Sequence, residues 1–362
     1  MVVISRNTAF TYQGKRVDTK QVGRELGVRY VLEGSVRRSG NQVRVNAQLI
    51  DAETDAHLWG ERFDGDMSDL FALQDDVTSR IANALGVELI AAEAARPIEH
   101  PDALDYIFRG RAARLKPVSR DVFAEAISLF ERALALDPHS IEAQSLLART
   151  LMSRVLDGVS ASAAADIARA EELAGQALAA SPRYALAHYA RGGGLRAQNR
   201  YQEAIPEYET AIALDRNFVG ALVGIAQCKV YAGSIDEAIP LVEQAIRISP
   251  RDPVIYWWYQ QIGKVHLLQS RINEAILWLE KARSATPAHP GICAELASAY
   301  ALSGEIERAV AELAEARRLS RDDRYSNLAQ LRAARYWGVL EVRALFEATY
   351  FAGLRLAGMP EE

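Results

Sequence analysis

The strongest constraint on the fold of this chain is a pair of small residues that recurs along its middle and carboxy-terminal parts. In six segments an alanine precedes a second alanine by seven positions, and in five of them a large apolar residue stands four positions after the first alanine. These alanines are Ala126 and Ala133, Ala170 and Ala177, Ala204 and Ala211, Ala238 and Ala245, Ala275 and Ala282, and Ala309 and Ala316. Successive segments begin 44, 34, 34, 37 and 34 residues apart. Because a larger side chain would overpack a close helix crossing, the register predicts six tightly packed helix pairs.

Proline and glycine mark the ends of these predicted helices. Proline follows four of the second helices, and a proline cannot continue a helix. Gly233 and Gly304 stand at the turn within two of the pairs. A 34-residue period with small residues at these positions resembles the tetratricopeptide repeat. The resemblance implies a mainly α fold, a right-handed α-solenoid of about six repeats over residues 102–321, closed by capping helices over residues 322–362.

The amino-terminal part has a different pattern. RYVLEGSVRR and NQVRVNAQLIDA are rich in β-branched residues, and Ser39-Gly40-Asn41 separates them. In the second segment apolar and polar residues alternate, which is typical of a half-buried strand. HLWGERFDG predicts a further short strand, and SDLFALQDDVTSRIANAL predicts an amphipathic helix. Residues 1–95 are therefore expected to form a small α+β domain with an antiparallel sheet.

The motifs GVRYVLEGSVRR and AHLWGERFDG resemble the TolB-amino-terminal-like segment that precedes tetratricopeptide repeats in bacterial signalling proteins. Such proteins include rhizobial class III adenylate cyclases and CadC-like winged-helix regulators. The resemblance implies that the domain lacks its first part and that an upstream catalytic or DNA-binding domain is absent. An incomplete sheet would leave an exposed edge, so we expect homo-oligomerisation through the amino-terminal domain.

Composition excludes several classes of protein. The 362 residues are 49% hydrophobic and 25% charged, with a net charge of -5, so a basic face for nucleic acid is not expected. Two cysteines, Cys228 and Cys293, do not make a disulfide framework. No apolar run is long enough to span a membrane, and the start does not resemble a signal peptide. A cytoplasmic protein is expected.

The sequence contains no clear motif for metal binding, nucleotide binding or acid–base catalysis. The six histidines lie in no metal-binding motif, so no metal site is expected. The glycines of Arg191–Gly194 fall within a predicted helix and do not follow a strand, which disfavours a phosphate-binding loop. No acid–base pair can be recognised. We therefore expect no cofactor and no enzymatic activity in this chain, although its family resemblance includes adenylate cyclases.

The candidate binding residues lie on the first helix of each pair, which lines the concave face in arrays that resemble this one. Six residues are predicted to line that groove: Arg149, Arg196, Gln227, Trp257, Gln260 and Lys264. The arginines and the lysine could clamp a carboxylate. Trp257 belongs to the run Tyr256–Tyr259, which predicts either packing residues of one repeat or an aromatic anchor for a peptide. The alternative interpretation is that these six residues bind no ligand and form a solvated polar face.

The sequence thus favours a non-enzymatic interaction module that binds a peptide or protein on the concave solenoid face. Two alternatives stay open: a regulatory fragment of a class III adenylate cyclase, and the regulatory part of a CadC-like transcription activator. No membrane or nucleic-acid partner is expected.

Overall fold

The computed structural model describes residues 4, 8–9, 11–12, 18–96, 99–116, 118–320, 322–334 and 337–362. The chain divides into two compact units, Met1–Ala92 and Glu93–Glu362. Most of the first 17 residues of the expected α+β domain, including the apolar residues Val2 and Val3, lie outside the described residues.

The first unit is a small antiparallel sheet with helices. Helix α1 (Thr19–Leu26) precedes strands β1 (Tyr30–Ser39), β2 (Gln42–Asp51) and β3 (Ala56–Asp66), and helix α2 (Leu70–Ala94) follows them. The strands lie in the order β1-β2-β3, and both neighbouring pairs are antiparallel. The expected small antiparallel sheet is therefore confirmed, including the turn at Gly40 and Asn41.

The core of this unit lies between one face of the sheet and α2. Ala47, Leu49, Trp59 and Phe63 are buried, and partly buried residues such as Val77, Ile81 and Leu85 of α2 pack against them. Alternation along β2 sends its odd-numbered apolar side chains to this face, because neighbouring residues of a strand point to opposite sides. The polar residues between them then face away from the helix.

The second unit begins with a series of helix pairs. Within its described residues there are six pairs, and we call the first helix of each pair A and the second B. The A helices are α3 (Ala103–Ala113), α5 (Ile141–Leu156), α7 (Ala185–Ala197), α9 (Val219–Ala232), α11 (Ile255–Leu268) and α13 (Pro290–Leu302). The B helices are α4 (Arg120–Leu136), α6 (Ala163–Ala180), α8 (Tyr201–Leu214), α10 (Ala238–Ile248), α12 (Ile272–Ala285) and α14 (Ile306–Leu319). The fold class is the expected α-solenoid, preceded by a small α+β unit.

The repeated alanines lie where the helices meet. All twelve are buried, with at most 2% of each residue exposed. In three of the pairs the large residue between the alanines, Phe130, Tyr208 or Leu279, enters a space left by a glycine of an A helix. A β-carbon at Gly192 would lie 2.9 Å from the Tyr208 ring, and one at Gly263 would lie 2.7 Å from Leu279. The glycines are therefore needed for close approach, not for an unusual backbone conformation.

Enlarging one of these alanines should destabilise the solenoid. Ala309 of α14 is fully buried, and we expect Ala309→Leu to lower the free energy of unfolding by about 1–3 kcal/mol through overpacking. Ala314 of the same helix is exposed, so Ala314→Leu is the matched control and should change stability by less than about 0.5 kcal/mol. Urea denaturation monitored by circular dichroism measures both. Equal effects of the two variants would contradict the assigned register.

A carboxy-terminal segment follows the last pair. It comprises α15 (Leu328–Ala333), α16 (Leu340–Phe346), one π-helical turn (Glu347–Phe351) and α17 (Ala352–Leu356). The part from α16 to α17 packs against three A helices, α9, α11 and α13. Its aromatic residues join the same apolar core as those helices. The segment thus lies along the A-helix side of the last repeats.

Candidate functional site

The A helices form one curved face of the solenoid. Arg114, directly after α3, lies close enough to Asp157, Tyr189 and Tyr256 for their charges to affect the pKa of its guanidinium. These residues belong to the end of α5, to α7 and to α11. Residues four repeats apart can approach one another only if the face curves inward. We call this concave surface the groove.

The carboxy-terminal part of the groove is filled by the chain itself. The backbone N–H of Val339 donates to the carbonyl of Tyr231 at the end of α9, with an N–O distance of 3.0 Å. Gly353 packs so closely on α13 that a side chain there would collide with Ser298. Every residue of α13 from Ile292 to Ala301 is buried, so all faces of this A helix are covered.

A buried ion pair joins α11 and α13 in this filled part. Lys264 Nζ lies 3.3 Å from Glu295 Oε1, and only 5% and 4% of the two side chains are exposed. The second carboxylate oxygen, Glu295 Oε2, is buried without a hydrogen-bond partner in the described part of the chain. Charges removed from water in this way depend on each other, because the loss of one leaves the other unneutralised.

The structure distributes the six predicted groove residues over four A helices. Arg149 of α5 is exposed, and Arg196 of α7 is half-buried. Gln227 of α9 is buried and accepts a hydrogen bond from Arg196 Nη1. This hydrogen bond therefore joins two of the six predicted groove residues.

The other three predicted residues lie on α11. Gln260 and Lys264 are buried, whereas Trp257 is partly buried and packs against the apolar core. Of the aromatic run that contains it, Trp258 is the fully buried member. In this structure Lys264 is therefore not available at a surface, and its substitution is expected to affect stability as well as binding.

The amino-terminal part of the groove is open. Arg149 is exposed there, and its guanidinium carbon lies 5.4 Å from the centre of the Tyr189 ring. Arg114 packs over Phe123 at 4.1 Å. Arg114 Nη1 and Arg196 Nε are both buried without a hydrogen-bond partner in the described part of the chain. Guanidinium groups with unused donors favour an anionic ligand.

The electrostatic surroundings agree with this description. Enclosure by protein lowers the pKa of Arg114 to about 10, and the nearby charge of Arg149 acts in the same direction. Asp157 is exposed as a residue, yet enclosure of its carboxyl by protein raises the pKa of that group to about 6, although Arg114 and Arg196 oppose that rise. A carboxyl with this pKa is still largely ionised at neutral pH, so Asp157, and Asp252 beside Arg149, offset part of the positive charge of the three arginines.

Sequence reasoning missed several residues of the groove. Arg114 and Asp157 follow the ends of α3 and α5, outside the helix positions that were counted. Glu295 could have been noticed, because it is the acidic residue of an otherwise apolar or small helix, ICAELASAYAL. Nothing in the local sequence indicates that it meets Lys264.

Comparisons with known proteins agree with the repeats. Tetratricopeptide repeat models match residues 156–217, 195–259 and 266–334. The chain is also similar to putative adenylate cyclase 3 of Rhizobium meliloti (strain 1021), with 38% identity over 208 residues. That match covers 56% of this chain and 35% of the relative, so the chain spans about a third of the relative's length.

A solved structure with a TM-score above 0.5 shows the same fold at low identity. The Cut9 and Hcn1 hetero-tetramer of APC/C aligns with a TM-score of 0.52 and 16% identity, over 75% of this chain and 50% of that chain. A thermophilic tetratricopeptide protein of Thermus thermophilus aligns with a TM-score of 0.44 and 20% identity, over 54% and 98% of the two chains.

None of the described helices combines the length and the hydropathy needed to cross a bilayer. Within the described residues, no three side chains suited to a metal ion converge. The helix pairs within residues 156–334 match tetratricopeptide repeat models, the helix pair before them has the same arrangement, and the segment at the amino-terminal end is a small α+β unit.

Proposed function

We propose that this chain is a non-catalytic interaction module of a bacterial signalling protein, acting in the cytoplasm, and that it binds a segment of a partner protein in the open part of the groove. The observation that supports this proposal most directly is the arginine cluster. Arg149 is exposed, and Arg114 and Arg196 keep buried donors without hydrogen-bond partners among the described residues. A partner carboxylate that pairs with exposed Arg149 would also be attracted by the positive charge of Arg114 and Arg196.

The chemistry of the open part favours an extended acidic segment. Arginine forms short charge-assisted hydrogen bonds to carboxylates, often through two donors at once. The rings of Tyr189 and Tyr256, both half-buried, lie beside the cluster and could contact apolar parts of the same segment. Gln260 and Lys264, in contrast, lie in the filled part and are secondary candidates for contact.

Reversing one charge in the open part should weaken binding without harm to the fold. With the full chain as bait and a partner first identified by affinity capture, we expect Arg149→Glu to raise the dissociation constant at least about tenfold, or ~1.4 kcal/mol. Arg247 of α10 is an exposed arginine on a B helix, so Arg247→Glu is the matched control. Calorimetry measures both. Equal affinity of Arg149→Glu and the parent chain would contradict the proposed site.

A second candidate function is regulation of a class III adenylate cyclase. The similarity to putative adenylate cyclase 3 supports it. In this proposal the repeats position or control a cyclase domain and form no cyclic AMP themselves. Cyclic AMP formation by the isolated chain would contradict both candidates. An upstream reading frame that encodes a cyclase domain would favour the second, and one that encodes a winged helix would favour a CadC-like activator.

A further inference from the structure

Strand β1 forms an edge of the sheet and is unusually open. It is ten residues long, contains no proline, and pairs with β2 without a register shift. All its residues from Leu32 to Ser39 are exposed, including two large apolar side chains, Leu32 at 47% and Val36 at 70%. Among the described residues, no strand pairs with its outer side. A long, regular edge with exposed apolar side chains is a template for a further strand.

The hairpin turn determines which backbone groups of β1 face outward. Gly40 and Asn41 form a two-residue loop between the paired residues Ser39 and Gln42. Residues that flank such a loop exchange hydrogen bonds, and this exchange then alternates along the strand. The odd-numbered residues of β1 therefore bond to β2. Leu32, Gly34, Val36 and Arg38 direct their N–H and C=O groups to the outer side.

The opposite edge of the sheet is protected. Strand β3 has a register shift against β2 at Leu49 and Ile50, and it carries the charged residues Glu61, Arg62 and Asp64. Charges at an edge hinder further pairing, but β1 carries three of them as well, so the irregular pairing is what distinguishes β3. The two edges thus differ, and β1 is the one able to accept a strand.

We propose that β1 pairs antiparallel with β1 of a second copy of this chain, around a two-fold axis at Ser35, to form a six-stranded sheet. Charge selects this register. Side chains of directly opposite residues point to the same face of a sheet. The odd-numbered residues of both copies share one face, so Glu33 can oppose only an odd-numbered residue of the second copy. The single register that places unlike charges opposite each other joins Glu33 to Arg37 of the other copy, twice.

The other pairs in this register are compatible. Val36 would lie opposite Gly34, where it covers a position without a side chain, and Leu32 would lie beside the aliphatic stem of Arg38. No like charges are directly opposite. The outward N–H and C=O groups of Leu32, Gly34, Val36 and Arg38 would bond to those of the second copy. A second copy would thus pair with the outward backbone groups of β1 and would also cover its exposed apolar side chains.

Sedimentation velocity of the full chain over a range of concentrations tests the proposal. We expect a monomer–dimer equilibrium, and we expect Val36→Lys to raise the dimer dissociation constant at least about tenfold, because lysine on an edge hinders pairing. Val36 is 70% exposed, so the monomer should keep its fold. Val310→Lys, at a 50% exposed valine of α14, is the control and should leave dimerisation unchanged.

A charge exchange tests the register itself. Arg37→Glu should weaken the dimer, because it places two carboxylates opposite each other, and Glu33→Arg should do the same by opposing two guanidinium groups. The double variant Glu33→Arg with Arg37→Glu should restore the parent dissociation constant. A chain that remains monomeric at all concentrations, or a dimer unaffected by Val36→Lys, would overturn the proposal. A dimer that both single variants weaken and the double variant fails to restore would overturn the register.

Discussion

Replacing Lys264 with methionine is expected to lower the free energy of unfolding by about 3–5 kcal/mol, which is the range for removing one member of a buried ion pair. Methionine has a similar length and shape, so it leaves little cavity. It does leave the Glu295 carboxylate with 4% of its side chain exposed and without its cation. Urea denaturation of the intact chain, followed by helical circular dichroism, measures the loss.

Two comparisons separate the buried charge from other effects. Adding Glu295→Gln to Lys264→Met removes the unneutralised charge and should recover much of the lost stability. Lys229 forms a more exposed pair with Glu237, at 2.6 Å, so Lys229→Met should cost less than about 1 kcal/mol. A loss for Lys264→Met no larger than that for Lys229→Met would show that the groove is hydrated at this point.

Truncation of Phe346 to alanine should also lower the free energy of unfolding, by about 3–5 kcal/mol, the range for a buried phenylalanine. Phe346 ends α16 with 1% of its surface exposed. Its ring centre lies 4.8 Å from that of Trp337, in an edge-on contact. The same core includes residues of the A helices, so loss of the ring leaves a cavity at the floor of the filled groove.

Leu340 provides the control for this prediction. It begins the same helix but is 77% exposed, so Leu340→Ala should change stability by less than about 0.5 kcal/mol. If Phe346→Ala proves equally mild, the carboxy-terminal segment is held weakly and a partner could displace it. The expected large loss would instead mean that the filled part of the groove stays filled and that partners are confined to the part around Arg149.

Much of the solenoid could be predicted because its information is local. Each pair of alanines marks one B helix, and the spacing of the pairs gives the repeat. Gly233 and Gly304 end A helices in the left-handed region, with φ of 102° and 88°, as their place in the pattern suggests. The strands before the repeats were equally readable from the alternation of Val43, Val45, Ala47 and Leu49.

The candidate site was harder to predict. Counting along the A helices placed Arg149 and Arg196 on the correct helices, and the structure leaves Arg149 exposed. The same counting gave Lys264 an open position, although it pairs with Glu295 in the interior. Periodicity gives the direction of a side chain from its helix, but it does not tell what another part of the chain places in front of it.

The sequence by itself determined the type and order of the repeated helices and of the strands, because turn residues, caps and small packing residues act over one or two helical turns. Only the tertiary structure decided which part of the groove is open. That depends on the path of the carboxy-terminal segment back over α9, α11 and α13, and on charges brought together from several repeats. Such contacts join residues far apart in the chain, and burial and electrostatic energy depend on the final distances between them.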